Sequence, residues 1–137
     1  MLPHKKEAAA CSSPLPKLQQ IFTSISLSTR EDFSFSIIGP LVNSAYGPEL
    51  IRTLEQYLAD NLNVSQAAKH LYLHRNTLLY RLAKIRSLTG LDPRNFEQAL
   101  ELKLALLLWQ QNNGQNSGGF LRRGKNLGAE PAKYALR

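Results

Sequence analysis

Cysteine is almost missing from this chain: Cys11 is the only one in 137 residues. An intramolecular disulfide is therefore excluded, as is a zinc site built on cysteines, and the scarcity fits a reducing cytoplasm. Long apolar runs are missing too. The nearest to a membrane span is Leu100–Trp109, which is short and interrupted by Glu101 and Lys103, against the roughly 18 apolar residues a span requires. Ala8-Ala9-Ala10-Cys11 resembles the end of a lipoprotein signal, but Pro3, His4, Lys5, Lys6 and Glu7 occupy the place of its apolar segment. No membrane association is expected. Catalytic equipment is equally scarce. The chain has no paired carboxylates, no nucleophile–base set and no phosphate-cradling glycine loop, since Gly118-Gly119 lacks a flanking strand and helix. His70 and His74 stand four apart, as zinc ligands do, but a turn is expected between them and no third ligand completes a site. Neither an enzyme, a cofactor nor a metal is expected.

One local absence is more telling. Between Asp60 and Asp92 there is no acidic residue, while Lys69, Arg75, Arg81, Lys84 and Arg86 all fall there. A basic stretch without acids is the footprint of phosphate contact. The net charge of +7 says less, because Arg122, Arg123, Lys125, Lys133 and Arg137 stand against only Glu130 in the tail.

The flanks carry little pattern. Residues 1–20 are polar and proline-rich, and residues 112–137 are rich in Asn, Gln, Gly and Ser and then basic; both read as poorly structured. Ile21 to Phe35, rich in Ser, Thr and Phe, suits a strand or a short helix, and Phe33, Phe35, Ile37 and Ile38 hint at alternation that Gly39-Pro40 ends. From Gly47-Pro48 the signal is helical, with Leu50, Leu54, Tyr57 and Leu58 on one face. Asn63 is placed to cap a short second helix whose Val64, Ala67, Ala68 and Leu71 point inward, the alanines allowing close approach. Tyr72-Leu73-His74 forms a turn with Leu73 plugging the corner.

The third helix spans about Arg75 to Leu88, and Gly90 is its left-handed cap. Leu78, Leu82 and Ile85 share one narrow sector, with Asn76, Tyr80, Ala83 and Ser87 opposite and Thr77 and Lys84 beside them. Arg81 lies at one edge, and Arg75 and Arg86 at the other. The outer face is thus polar and basic, as a helix lying in the major groove of DNA requires. Asn76 can pair with adenine through both groups of its side-chain amide. Thr77, Arg81, Lys84 and Arg86 suit phosphates, Tyr80 a phosphate or a thymine methyl, and His74 a phosphate or the helix cap. A fourth helix, about Asn95 to Gln111, is apolar nearly all round, so a second surface beyond the helix-turn-helix core is expected, from a dimer partner or another domain.

Residues 38–109 resemble the C-terminal DNA-binding domain of PucR/CdaR-type bacterial transcription regulators. The resemblance rests on Gly39-Pro40-Leu41, the run Glu49–Leu58, Asn63–Ala68, the signature His74-Arg75-Asn76-Thr77-Leu78-Leu79-Tyr80-Arg81-Leu82, then Ile85 and Leu88-Thr89-Gly90. It implies that His74, Arg75, Asn76, Thr77, Tyr80 and Arg81 form the core of the recognition segment, to which the helix face adds Lys84. Family members carry a large sensory region ahead of this domain, so no small-molecule effector is expected in this chain.

The expectation is an all-α protein: a small helix-turn-helix bundle of about four helices over residues 38–111, preceded at 1–37 by a poorly structured flank or the remnant of a preceding domain and followed at 112–137 by a flexible basic tail. Its function would be sequence-specific binding of double-stranded DNA, as a homodimer or a heterodimer with related regulators. The alternative is a truncated module that pairs with full-length regulators.

Overall fold

Six helices make up the regular structure of residues 15–114, which are the residues described by this computed structural model; no strand occurs among them. They are α1 (Gln19–Ser24), α2 (Leu27–Val42), α3 (Gly47–Ala59), α4 (Val64–His70), α5 (Arg75–Thr89) and α6 (Phe96–Gly114). The first compact unit ends at Arg30 and the second starts at Glu31, within α2. In the first, the Ser26 hydroxyl accepts the Thr29 N–H at 3.2 Å and starts α2. The expectations for residues 1–14 and for most of the C-terminal tail lie outside the described residues.

The second unit is the all-helical bundle that the sequence pattern implies, with α3, α4 and α5 packed on one another. Their stops and starts are local chemistry. Pro48 occupies the first turn of α3, where its missing N–H costs nothing. The Asn63 side chain accepts the Gln66 N–H at 2.9 Å and caps α4. Gly90, with φ 82°, ends α5 in the left-handed conformation. The two intervening turns close without glycine. Leu62 N–H reaches the Tyr57 carbonyl and Leu73 N–H the Ala68 carbonyl, each by way of left-handed residues: Asn61 and Leu62 in one turn, Tyr72 in the other.

The core is formed by Leu50, Leu54 and Tyr57 of α3, Ala67 and Ala68 of α4, and Leu78, Leu82 and Ile85 of α5. Ile38 and Leu41 of α2 join it, as do Leu102, Ala105, Leu106 and Trp109 of α6. Full burial of each large aliphatic side chain contributes about 1.5–3 kcal/mol. Leu73 packs against this core, as expected of the corner residue.

Two expectations are corrected. The alternation at Phe33–Ile38 is not a strand, and Gly39-Pro40 does not end the element: both lie inside α2. Ser34, Ile38 and Leu41 are its buried positions, a helical spacing. Pro40 lies inside α2, within one turn of its end at Val42, and leaves the Ser36 carbonyl without its helical N–H partner. Second, α6 runs three residues past Gln111, and the Asn113 side-chain amide donates to the Trp109 carbonyl. Part of the second surface expected for this helix lies within the chain itself, since Trp109 stacks on Phe35 with ring centroids 6.0 Å apart.

A polar link joins the ends of α3 and α4. His70 Nδ1 is 2.9 Å from Asp60 Oδ2, and the Gln56 side-chain amide donates to the same carboxylate at 3.0 Å. These hydrogen bonds, His70 foremost, hold the Asp60 carboxyl below its ordinary value.

Two outcomes follow from this packing. A Cβ on Gly47 would stand 2.6 Å from the Leu41 carbonyl oxygen, so Gly47→Ala should cost about 1–3 kcal/mol in denaturant unfolding. Because the pKa of Asp60 is lowered on folding, its stabilising contribution is complete above the unfolded-state value, near pH 4, and fades as pH falls through the lower folded value. Asp60→Asn should therefore lose stability less steeply than wild type on acidification below about pH 4, as followed by circular dichroism.

Candidate nucleic-acid interface

The residues singled out on α5 divide by what they touch. Leu78, Leu82 and Ile85 are fully buried, which leaves the opposite face to solvent. Asn76, Thr77, Ala83 and Ser87 are exposed there, and Tyr80 is 67 % exposed. His74 and Arg75 are exposed at the start of the helix, and Lys84 is half-buried. Of the seven expected site residues, Asn76, Thr77, Tyr80 and Lys84 lie on the outer side of α5, His74 at its N-cap, and Arg75 and Arg81 at its two edges.

Their charges are not equivalent. Arg81 faces back to α3: its guanidinium lies 3.4 Å from Glu49 Oε1 and donates to Thr53 Oγ1 at 3.3 Å, and only 24 % of its side chain is exposed. At the other edge, Arg75 donates to Ser65 Oγ on α4 at 3.0 Å. Arg86 lies 3.8 Å from Asp92, whose carboxyl is held below its usual range chiefly by the Arg94 backbone N–H. Among the described residues, Lys69, Arg75 and Lys84 have no carboxylate within salt-bridge distance.

His74 is the N-cap of α5 by backbone alone. Its carbonyl accepts from Thr77 N–H and Leu78 N–H, and its ring makes no capping hydrogen bond. Of the two roles expected for it, the cap is met by the extended backbone of His74 (φ −72°, ψ 147°). The first turn of α5 holds no acidic residue, so nothing there opposes an approaching anion. His70 has a side chain 47 % exposed and is tied to Asp60.

Thr77, Tyr80, Arg81 and Lys84 also line a groove of about 310 Å³, completed by Tyr46, Glu49 and Leu50 from the start of α3. Glu49 was legible only as an acid in a helix first turn, and Tyr46, Thr53 and Ser65 carried no signal of a role beside α5. Their placement depends on how α3 and α4 cross α5.

Residues 50–108 fit the model of the PucR C-terminal helix-turn-helix domain. This segment is a PucR-type helix-turn-helix domain. The chain is 33 % identical over 96 residues to the uncharacterised protein YsfB of Bacillus subtilis (strain 168), covering 70 % of this chain and 25 % of YsfB. It is 40 % identical over 63 residues to the proline-responsive transcriptional activator PutR of the same organism, covering 46 % and 15 % of the two chains. With the carbohydrate diacid regulator of Escherichia coli (strain K12) it shares 48 % identity over 59 residues, 43 % of this chain and 15 % of that one. The chain therefore spans a quarter or less of the length of these relatives. No solved structure matches it.

All but the first turn of α3, the whole of α4 and α5 and most of α6 fall within the PucR-type domain, while α1 and α2 precede it. No helix among the described residues is long and apolar enough to cross a membrane.

The inward turn of Arg81 yields a stability contrast. Arg81→Ala should cost about 0.5–1 kcal/mol by loss of its link to α3. Lys84→Ala should stay within about 0.5 kcal/mol of wild type. Paired urea denaturation curves measure both.

Proposed function

We propose that residues 38–111 act as a sequence-specific DNA-binding domain in transcription regulation, with α5 lying in the major groove. The observation that carries this reading is the exposed polar and basic face of α5, opposite its fully buried stripe. Asn76 and Tyr80 would face base edges, with Asn76 suited to a bidentate pair with adenine. Thr77, Lys84, Arg75 and His74 would hold phosphates on either side of the groove. Arg81, engaged with Glu49 and Thr53, sets the angle of α5 on α3 and acts as a positioning residue. The names of the relatives support the class of function, since PutR and the carbohydrate diacid regulator are regulators by name.

A second reading has its own support. On α6, Phe96 is 70 % and Leu100 41 % exposed, and Leu104 and Leu107 are half-buried in the same sector. Such a strip suits pairing with a second copy or with a full-length related regulator. As an alternative function, the chain would act as an interaction module through this strip without binding DNA itself.

Selection of random duplexes by the full chain, with affinities then measured at several salt concentrations, separates the two. DNA readout predicts an enriched motif. Asn76→Ala should cost about 1–3 kcal/mol and blur one position of it, while Lys84→Ala should weaken all duplexes evenly and reduce the salt slope by about one. Absence of enrichment, together with co-purification of a full-length regulator, would favour the interaction module.

A further inference from the structure

Among the described residues, Asn61, Leu62 and Tyr72 are the non-glycine residues with left-handed backbone. Two of them have local reasons. Asparagine is tolerated there, and the Leu62 side chain packs against the core. Tyr72, with φ 57°, has neither. It follows the C-cap of α4, where its N–H bonds to the Lys69 carbonyl at 3.1 Å and Leu73 N–H to the Ala68 carbonyl at 2.8 Å. Glycine usually fills that position. The ring of Tyr72 is 92 % exposed, and its hydroxyl makes no hydrogen bond among the described residues. For folding alone, glycine would serve better at this place.

The location suggests what the tyrosine is for. Tyr72 lies in the turn between α4 and α5, directly ahead of the exposed run His74–Thr77. In a helix-turn-helix the first helix crosses the DNA backbone and the second enters the major groove. In that docking, the turn that joins them would lie near the groove edge, where the phosphates run. Lys69 and Arg75, both exposed, flank Tyr72 in sequence. We infer that Tyr72 is a further DNA contact, its phenol O–H donating a hydrogen bond to a backbone phosphate at the edge of the groove. The inference rests on the DNA-binding reading of α5. A neutral phenol displaces no counterion and reads no base, so this contact adds affinity without altering the salt slope or the motif.

The test uses the full chain, a duplex from the selection above and a scrambled duplex, with fluorescence anisotropy at several salt concentrations. Y72F and Y72G should each weaken binding to both duplexes by about tenfold, with the salt slope of wild type. Y72G should melt at or up to about 5 °C above wild type. Wild-type affinity in either variant overturns the phosphate contact. So does a loss confined to the selected duplex, or a changed salt slope. A melting temperature of Y72G below wild type would assign the ring to the fold instead. If the wild-type chain binds neither duplex, it is the DNA-binding reading of α5 that fails, and the two failures are thereby told apart.

Discussion

Burial of Leu78, Leu82 and Ile85 fixes the rotation of α5 about its own axis, and every other property of the exposed face depends on that. A helix has one such rotational freedom. Once three side chains on one stripe are fully buried, the positions opposite must face solvent. The stripe can sink deeply because Ala67 and Ala68 of α4 are small and themselves buried. Larger residues there would hold α4 and α5 apart and tilt the outer face. The core thus does more than stabilise the domain: it aims Asn76 and Tyr80.

Rotation alone leaves the crossing angle and the ends of α5 undetermined, and polar contacts supply both. Arg81 reaches α3 from one edge and Arg75 reaches α4 from the other. The Asn63 cap and the glycine-free turns before α4 and α5 place the starts of those helices. Each contact is worth little by itself at a solvent-facing position. Together they act on the few orientations that the apolar core permits, and they do so at the edges, leaving the centre of the face bare.

Much of this was legible because it rests on local chemistry. Gly47-Pro48, Asn63 and Gly90 mark helix ends by mechanisms that need no tertiary knowledge, and the stripe on α5 is a matter of spacing. The parts that were not legible depend on tertiary context. Phe33, Phe35 and Ile37 alternate like a strand, yet α2 is helical because Ile38 and Leu41 reach the core and Phe35 meets Trp109. That same stack accounts for part of the apolar circumference of α6, which sequence alone attributed to a partner. Arg81 sat at the edge of the helical wheel, where reading outward and bracing inward are indistinguishable until Glu49 and Thr53 are placed. The left-handed backbone at Leu62 and Tyr72 has no glycine to announce it.

The distribution of charge bears on how the proposed face would meet a polyanion. The basic segment looks uniform in sequence, but its cations are not equally available. Arg81 is largely covered and has two partners on α3, so moving it to a phosphate would break both contacts. Arg86 is 61 % exposed and stands 3.8 Å from Asp92, a separation at which an ion pair in water is weak and readily exchanged. Lys69, Arg75 and Lys84 need give up no carboxylate among the described residues. Phosphate affinity should therefore concentrate at the two edges of α5 and at α4, with Arg86 as a reserve. In the proposed reading, the uncharged centre formed by Asn76, Tyr80 and Ala83 would be left to discriminate between bases. That division, cations at the rim and hydrogen-bonding groups in the middle, would allow a single helix to hold DNA tightly without losing the ability to read it.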